Sequence, residues 1–300
     1  LNTEVKQITA TDKSGYGIKQ LNCHLRVGKG LVELKELHVQ DNFSTINANY
    51  YRMAYKSAKD FSNFTRAIIL SADFKNTYFN FATVGKITSS MSDNRFGLYL
   101  NGKIKGTISD MESKLLSVTS ESGKTFTGIA FRIKGLPNAS NTVIKGVLNN
   151  CVTTPDDLSY IIAQFSGSPK KNALEPISPF TKISLNGEIS GYFNNLNILA
   201  NITSSAGNAK ANINLNNSTK KRTFIISGKV KTNQLNLNSL LSLKNTGNLT
   251  AEGDLSMTFP KRNSGGMIVN IDNFKINQVE FNSYNYSNIY ITGKYSPNEI

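Results

Sequence analysis

From position 96 to 108 every even-numbered residue is apolar or glycine: Phe96, Leu98, Leu100, Gly102, Ile104, Gly106 and Ile108. The residues between them include Tyr99, Asn101, Lys103, Lys105 and Thr107. From 183 to 193 the odd positions behave the same way: Ile183, Leu185, Gly187, Ile189, Gly191 and Phe193 alternate with Ser184, Asn186, Glu188, Ser190 and Tyr192. Successive side chains of a strand point to opposite faces. A period of two kept over ten residues therefore predicts long strands with one dry and one wet face.

Most of the chain follows this pattern. Leu21, Cys23, Leu25 and Val27 form one dry row, and Ile129, Phe131 and Ile133 another. Leu196, Ile198, Ala200 and Ile202 are followed by Ala209, Ala211, Ile213 and Leu215, then by Phe224, Ile226, Gly228 and Val230. Leu249 to Phe259 and Met267 to Ile271 continue the series. Turn signals separate the rows: Asn194-Asn195, Asn216-Asn217, Lys220-Lys221-Arg222, Lys261-Arg262 and Ser264-Gly265-Gly266. The pattern predicts an antiparallel meander of one-sided strands. The stretch Asn101–Gly106 matches Asn186–Gly191 in four of six places, a weak internal similarity that any glycine-rich alternating strand can produce.

Helical signals are few. Thr154 as cap, Pro155 in the first turn, Asp156 and Asp157 beside it, then Leu158, Ile161, Ile162 and Phe165 predict a helix over 155–165. Leu237 to Leu243 suits one short helical turn. Pro169, Lys170-Lys171, Pro176 and Pro179 make 166–180 a linker, dividing the chain into a first β segment, 1–165, and a second, 181–300.

Composition agrees with a β-protein. Hydrophobic residues are 39% and charged residues 18% of 300, below the usual ~45–50% and ~25%, and the balance is made up by Asn, Ser, Thr and Gly. Apolar runs such as Ala67–Leu70 are too short to cross a membrane as a helix. With no Trp and no aromatic girdle, a transmembrane barrel is not expected. The net charge of +14 raises nucleic acid as a partner, but the lysines are scattered over turns and wet faces, and no stacking platform accompanies them. No nucleic-acid role is expected. Diffuse positive charge suits anionic lipid surfaces, or simply solubility.

Chemistry is sparse. His24 and His38 have no second ligand at metal spacing, so no metal site is expected. Cys23 falls on a dry face and Cys151 lies far along the chain. They can be free or paired, free thiols being the expectation. Asp156 and Asp157 are accounted for by the start of their helix. No nucleophile elbow, phosphate loop or dinucleotide fingerprint is present, and neither an enzyme nor a cofactor is expected. One-sided strands need a cover for their dry faces. A sandwich, a closed barrel and an open gutter all satisfy that need.

Gly135-Leu136-Pro137-Asn138 with Asn141-Thr142, Thr153-Thr154 and Asp157-Leu158 is similar to one passage of the AsmA-like/TamB family, in particular the TamB-type proteins of Bacteroidetes, which the chain resembles. Ser190-Gly191-Tyr192-Phe193-Asn194-Asn195 with Thr203–Gly207 is similar to a second. Ser227–Val230, Leu235–Leu237, Leu240-Leu241 and Gly247–Thr250 resemble a third, and Lys13–Tyr16 with Gly30–Leu34 also fit. Asn238 stands where the pattern has Gly, and Leu196 and Leu235 where it has Phe. The stretch Asp73–Val84 matches poorly.

The resemblance implies a mostly β fold, an elongated, curled antiparallel sheet whose concave face is an apolar trough, with one or two short helices. It implies a monomeric periplasmic segment tethered to the inner membrane by a part outside this sequence, conducting phospholipids between the inner and outer membranes. The partners implied are phospholipid acyl chains and a TamA-like outer-membrane barrel. The trough lining would be Leu21, Leu25, Leu98, Leu100, Ile104, Ile108, Ile129, Phe131, Ile133, Ile183, Leu185, Ile189, Phe193, Ile198, Ile213, Leu215, Ile226, Val230 and Leu255. Two other readings are a scaffold or chaperone for outer-membrane barrel assembly and a closed β-sandwich that binds glycans.

Overall fold

A computed structural model of the chain describes residues 1–13, 15–83, 96–166, 182–218, 223–260 and 267–296. It is mostly β, with 17 strands among the described residues in an antiparallel sheet that does not close into a barrel. Two compact units are distinguished, Leu1–Gly146 and Val147–Ile300. The division therefore falls before the helix Pro155–Ser166. Of the expected linker at 166–180, Ser166 closes that helix and 167–180 lie outside the described residues.

The first unit contains β1 (Asn2–Thr11), β2 (Gly17–Gly28), β3 (Leu31–Gln40), β4 (Thr45–Ala54), β5 (Ile69–Asn80), β6 (Gly97–Thr107), β7 (Asp110–Ser120) and β8 (Phe126–Lys134). Each pairs with the next, from β1 with β2 to β7 with β8. Strand β9 (Val143–Thr153) runs across the boundary between the units. The second unit continues with β10 (Ile183–Tyr192), β11 (Asn195–Ser204), β12 (Gly207–Ser218), β13 (Thr223–Asn233), β14 (Leu235–Asn236), β15 (Thr246–Pro260), β16 (Ile268–Phe281) and β17 (Tyr284–Tyr295). Short β14 carries β13 onward, both pairing with β15.

Two-residue turns join β10 to β11 and β6 to β7, so Phe193 and Ile108 lie in those turns just beyond their strands. The helix Pro155–Ser166 is capped by Thr154, whose carbonyl accepts from the Leu158 N–H at 2.9 Å. The segment Leu237–Leu241 is the short helix expected there, its N-cap Asn236 accepting from the Ser239 N–H at 2.8 Å.

One arrangement, a left-handed residue whose N–H is bonded to a side chain of the next strand, recurs four times among the described residues. Gln7, Asn76, Asn150 and Gln234 each adopt a left-handed backbone, with φ of 54°, 50°, 50° and 48°. Each N–H is taken by a side chain of the strand that follows in the meander. Gln7, Asn76 and Asn150 donate at 2.7 Å to Oδ1 of Asn22, Asn101 and Asn186, and Gln234 donates at 3.1 Å to Oγ1 of Thr250. The acceptors share a local sequence. Leu21-Asn22-Cys23, Leu100-Asn101-Gly102, Leu185-Asn186-Gly187 and Leu249-Thr250-Ala251 each read Leu, Asn or Thr, then a small residue.

At the two glycine positions the missing side chain is a steric requirement. At Gly102, with φ of 127°, an added Cβ would lie 2.7 Å from the Leu115 carbonyl oxygen, and at Gly187 it would strike that of Leu199. Cys23 and Ala251 are 5% and 1% exposed. The similarity between Asn101–Gly106 and Asn186–Gly191 is thus part of a structural repeat whose unit begins with a bulged strand.

Candidate functional site: one aliphatic face

Residues directly opposite each other in an antiparallel pair share a face, so the registers show which of the expected lining residues come together. In the second unit Ile189, Ile198, Ile213, Gly228, Leu255 and Ile271 form one continuous row across β10–β16. Beside it runs Gly191, Leu196, Leu215, Ile226, Met257 and Val269. On the other flank runs Gly187, Ala200, Ala211, Val230 and Gly253, then Leu185, Ile202 and Ala209. Ile183, at the start of β10, is buried opposite Ser204.

The first unit repeats this arrangement. Leu25, Leu34, Tyr51, Ala72 and Ile104 form one row. Val27, Val32, Met53, Leu70, Gly106, Met111 and Ile133 form a second. Leu37, Ala48, Phe74, Gly102, Leu116 and Ile129 form a third. Leu21 meets Val39, Leu98 meets Phe79, Leu100 meets Val118, and Phe131 stands opposite Ser113. Cys23, Leu37 and Ala48 are the buried centre, with Val5, Leu21, Leu25, Tyr51 and Phe74 packed around them.

Ile183 and Ile226 are buried and the other expected lining residues, Ile108 and Phe193 in their turns included, are half-buried. Within each unit, among the described residues, the backbone of a strand lies close chiefly to its neighbours in the meander. What the alternation did not reveal is the contribution of β3, β4 and β5: Leu34, Leu37, Tyr51, Met53, Leu70, Ala72 and Phe74 belong to the same rows. A bulge moves the apolar positions from one parity to the other. In β5, Leu70, Ala72 and Phe74 precede Asn76, and Thr77 and Phe79 follow it. In β3 the same shift occurs at Glu36, between Leu34 and Leu37.

The opposite face is polar. On β11 and β12 it is largely asparagine, and Asn214 Nδ2 donates to Oδ1 of both Asn195 and Asn197 at 2.7 and 3.0 Å. In the first unit it carries the charged row Arg26, Glu33, Arg52, Ser71 and Lys105. Glu33 is covered by its basic neighbours. Arg52 Nε donates to its Oε1 at 2.6 Å, and this hydrogen bond, with Lys35 and Arg26 adding to it, holds the carboxyl below its ordinary value. Arg52 also lies over the Tyr50 ring, 4.3 Å from its centroid.

At the strand ends, Asp41 is buried and fully used. Its Oδ1 accepts from the N–H groups of Phe43 and Ser44 at 2.6 Å, and its Oδ2 from the Tyr16 and Thr83 hydroxyls at 2.9 Å. Burial first, and the bond to Asp41 second, push the Tyr16 hydroxyl up to about 12.

His24 Nε2 lies 3.4 Å from Glu36 on the polar face, and His38 Nδ1 is 2.7 Å from Asn47. No group of three or more His, Cys, Asp or Glu side chains able to hold a metal ion occurs among the described residues. Neither Cys23 nor Cys151 forms a disulfide, and burial raises the Cys23 thiol. No helix among the described residues is long and apolar enough to cross a membrane. In comparison with known proteins, the chain matches no family model, no curated protein and no solved structure.

Proposed function

We propose that the aliphatic face is a surface along which phospholipid acyl chains lie and slide, making this chain a segment of a periplasmic, inner-membrane-tethered bridge between two membranes. The observation that carries the reading is the run of unbroken apolar rows, Ile189–Ile198–Ile213 and its flanks, left half-buried within their unit. Each methylene taken from water onto such a surface gains roughly 0.8 kcal/mol. In the second unit, rows of Ile, Leu, Val, Met, Ala and Gly offer no polar handle that would hold a chain at one place. Headgroups would stay in water at the edge of the face, near the asparagines and lysines. The resemblance to the TamB-type proteins supplies the compartment and the outer-membrane partner in this reading.

The test is binding of a fluorescent phospholipid to the purified chain. Ile104→Glu in the first unit and Ile189→Glu in the second place a charge in the middle of a row and should each reduce uptake several-fold while the far-ultraviolet circular dichroism stays that of a β-protein. Unchanged uptake in both folded variants would reject the reading.

A further inference from the structure

The polar face of β10–β13 contains a feature that the apolar face does not explain. A depression of about 570 Å³ lies there, lined by Val147, Leu199, Lys210, Asn212, Lys229 and Lys231 among others. Outward positions of β11 before and after Leu199 are asparagines, Asn195, Asn197 and Asn201, yet Leu199 is 49% exposed in their midst. Val147 of β9, 42% exposed, joins it in the lining. The bulge at Asn150, bonded to Asn186, borders the same place.

Three lysines gather around Asn212. Lys229 is its register partner on β13, Lys210 is two residues before it on β12, and Lys231 stands directly opposite Lys210. Like charges directly opposite in an antiparallel pair repel and destabilise it. Lys231 is compensated by Glu252, 3.1 Å away. Among the described residues no carboxylate forms an ion pair with Lys210 or Lys229, although Asp254 stands opposite Lys229 and Glu188 is also in the lining. An exposed aliphatic side chain thus sits beside two lysines that take no part in an ion pair among the described residues, Lys229 with Asp254 as its cross-strand neighbour, and the lining is completed by the strand segments at Gly187, Ala200 and Ala211.

We infer that this depression is a binding site for an anionic amphiphile, its phosphate or carboxylate head between Lys210 and Lys229 and its apolar body on Leu199 and Val147. Each half is weak alone. A solvated lysine pair holds a free anion poorly, and one leucine holds a short chain poorly, so the site selects ligands that carry both parts. It lies on the face opposite Ile198 and Ile213 and is independent of the proposed lipid surface.

The test is calorimetric titration with decyl phosphate, below the concentration at which it forms micelles, on the full chain carrying Ile198→Glu, which removes the middle of the apolar row. Saturable binding should persist there. It should weaken about tenfold or more when Lys210→Ala and Lys229→Ala are added, and similarly with Leu199→Asn, a change that only extends the asparagine face. Inorganic phosphate and decyl maltoside, each offering one half, should bind at least tenfold more weakly than decyl phosphate. Equal binding with and without the two lysines, or loss of binding on Ile198→Glu alone in a folded chain, would overturn the inference. The Ile104→Glu and Ile189→Glu phospholipid measurements stand or fall separately.

Discussion

The backbone N–H of Asn76 donates to Oδ1 of Asn101 at 2.7 Å, and Gln7 with Asn22 and Asn150 with Asn186 do the same at the same distance. A residue held left-handed in the middle of a strand turns its N–H out of the ladder, and the amide of the next strand supplies the missing acceptor. Asn101→Ala should therefore cost about 1 kcal/mol in urea unfolding, while Asn101→Asp, which keeps an acceptor oxygen, should lie closer to the wild type. Gly102→Val should cost more, about 1–3 kcal/mol, because it adds a Cβ at φ of 127° and 2.7 Å from the Leu115 carbonyl oxygen.

Acid should act through Glu33. Its carboxyl is held below the ordinary value near 4.5 by Arg52 first, so its contribution to stability is present above pH 4.5 and is lost as pH falls through the lowered value. Denaturant unfolding followed from neutral to acid pH should show a decline below 4.5 that is shallower in Glu33→Gln. An equally steep decline in that variant would place the acid sensitivity elsewhere.

Alkali should act through Tyr16. Its hydroxyl ionises at 10.0 in the unfolded chain and about 12 in the folded one, so its stabilising effect is complete below pH 10 and disappears between 10 and 12. Tyr16→Phe removes the donor to Asp41 and should flatten the unfolding free energy over that range, at the cost of lower stability at neutral pH.

Much of the fold can be read from residue order. The alternation of Ile183, Leu185, Gly187 and Ile189 predicts β10 and the face it shares with Ile198 and Ile213, because a strand without a bulge keeps its period. The rest is obscured where that period slips. The stretch 73–80 departs from strict alternation, and the reason is local: the bulge at Asn76 turns Thr77 and Phe79 to the side occupied by Phe74 before it. The signal that marks it, an Asn or Gln one strand before a triplet of Leu, Asn or Thr, and a small residue, becomes visible only when four copies are compared. Ile108 and Phe193 show the opposite limit, since alternation runs on past the last paired residue into the turn. The lysine-rimmed depression was illegible for a different reason. Lys210 and Lys231 are 21 positions apart and become neighbours only through the register of β12 and β13.

Photocrosslinking reads directly which face of the sheet meets lipid. A benzoyl-phenylalanine placed at Ile198 faces the apolar rows, and one at the adjacent Asn197 faces the asparagines. In each case the purified chain, carrying Lys210→Ala and Lys229→Ala so that the lysine-rimmed depression cannot itself hold a phosphate head, is irradiated with phospholipid vesicles and the adducts are identified by mass spectrometry. Phospholipid adducts at 198 with few or none at 197 are the predicted result. Equal labelling at both positions, or adducts at 197 alone, would contradict a lipid-carrying aliphatic face.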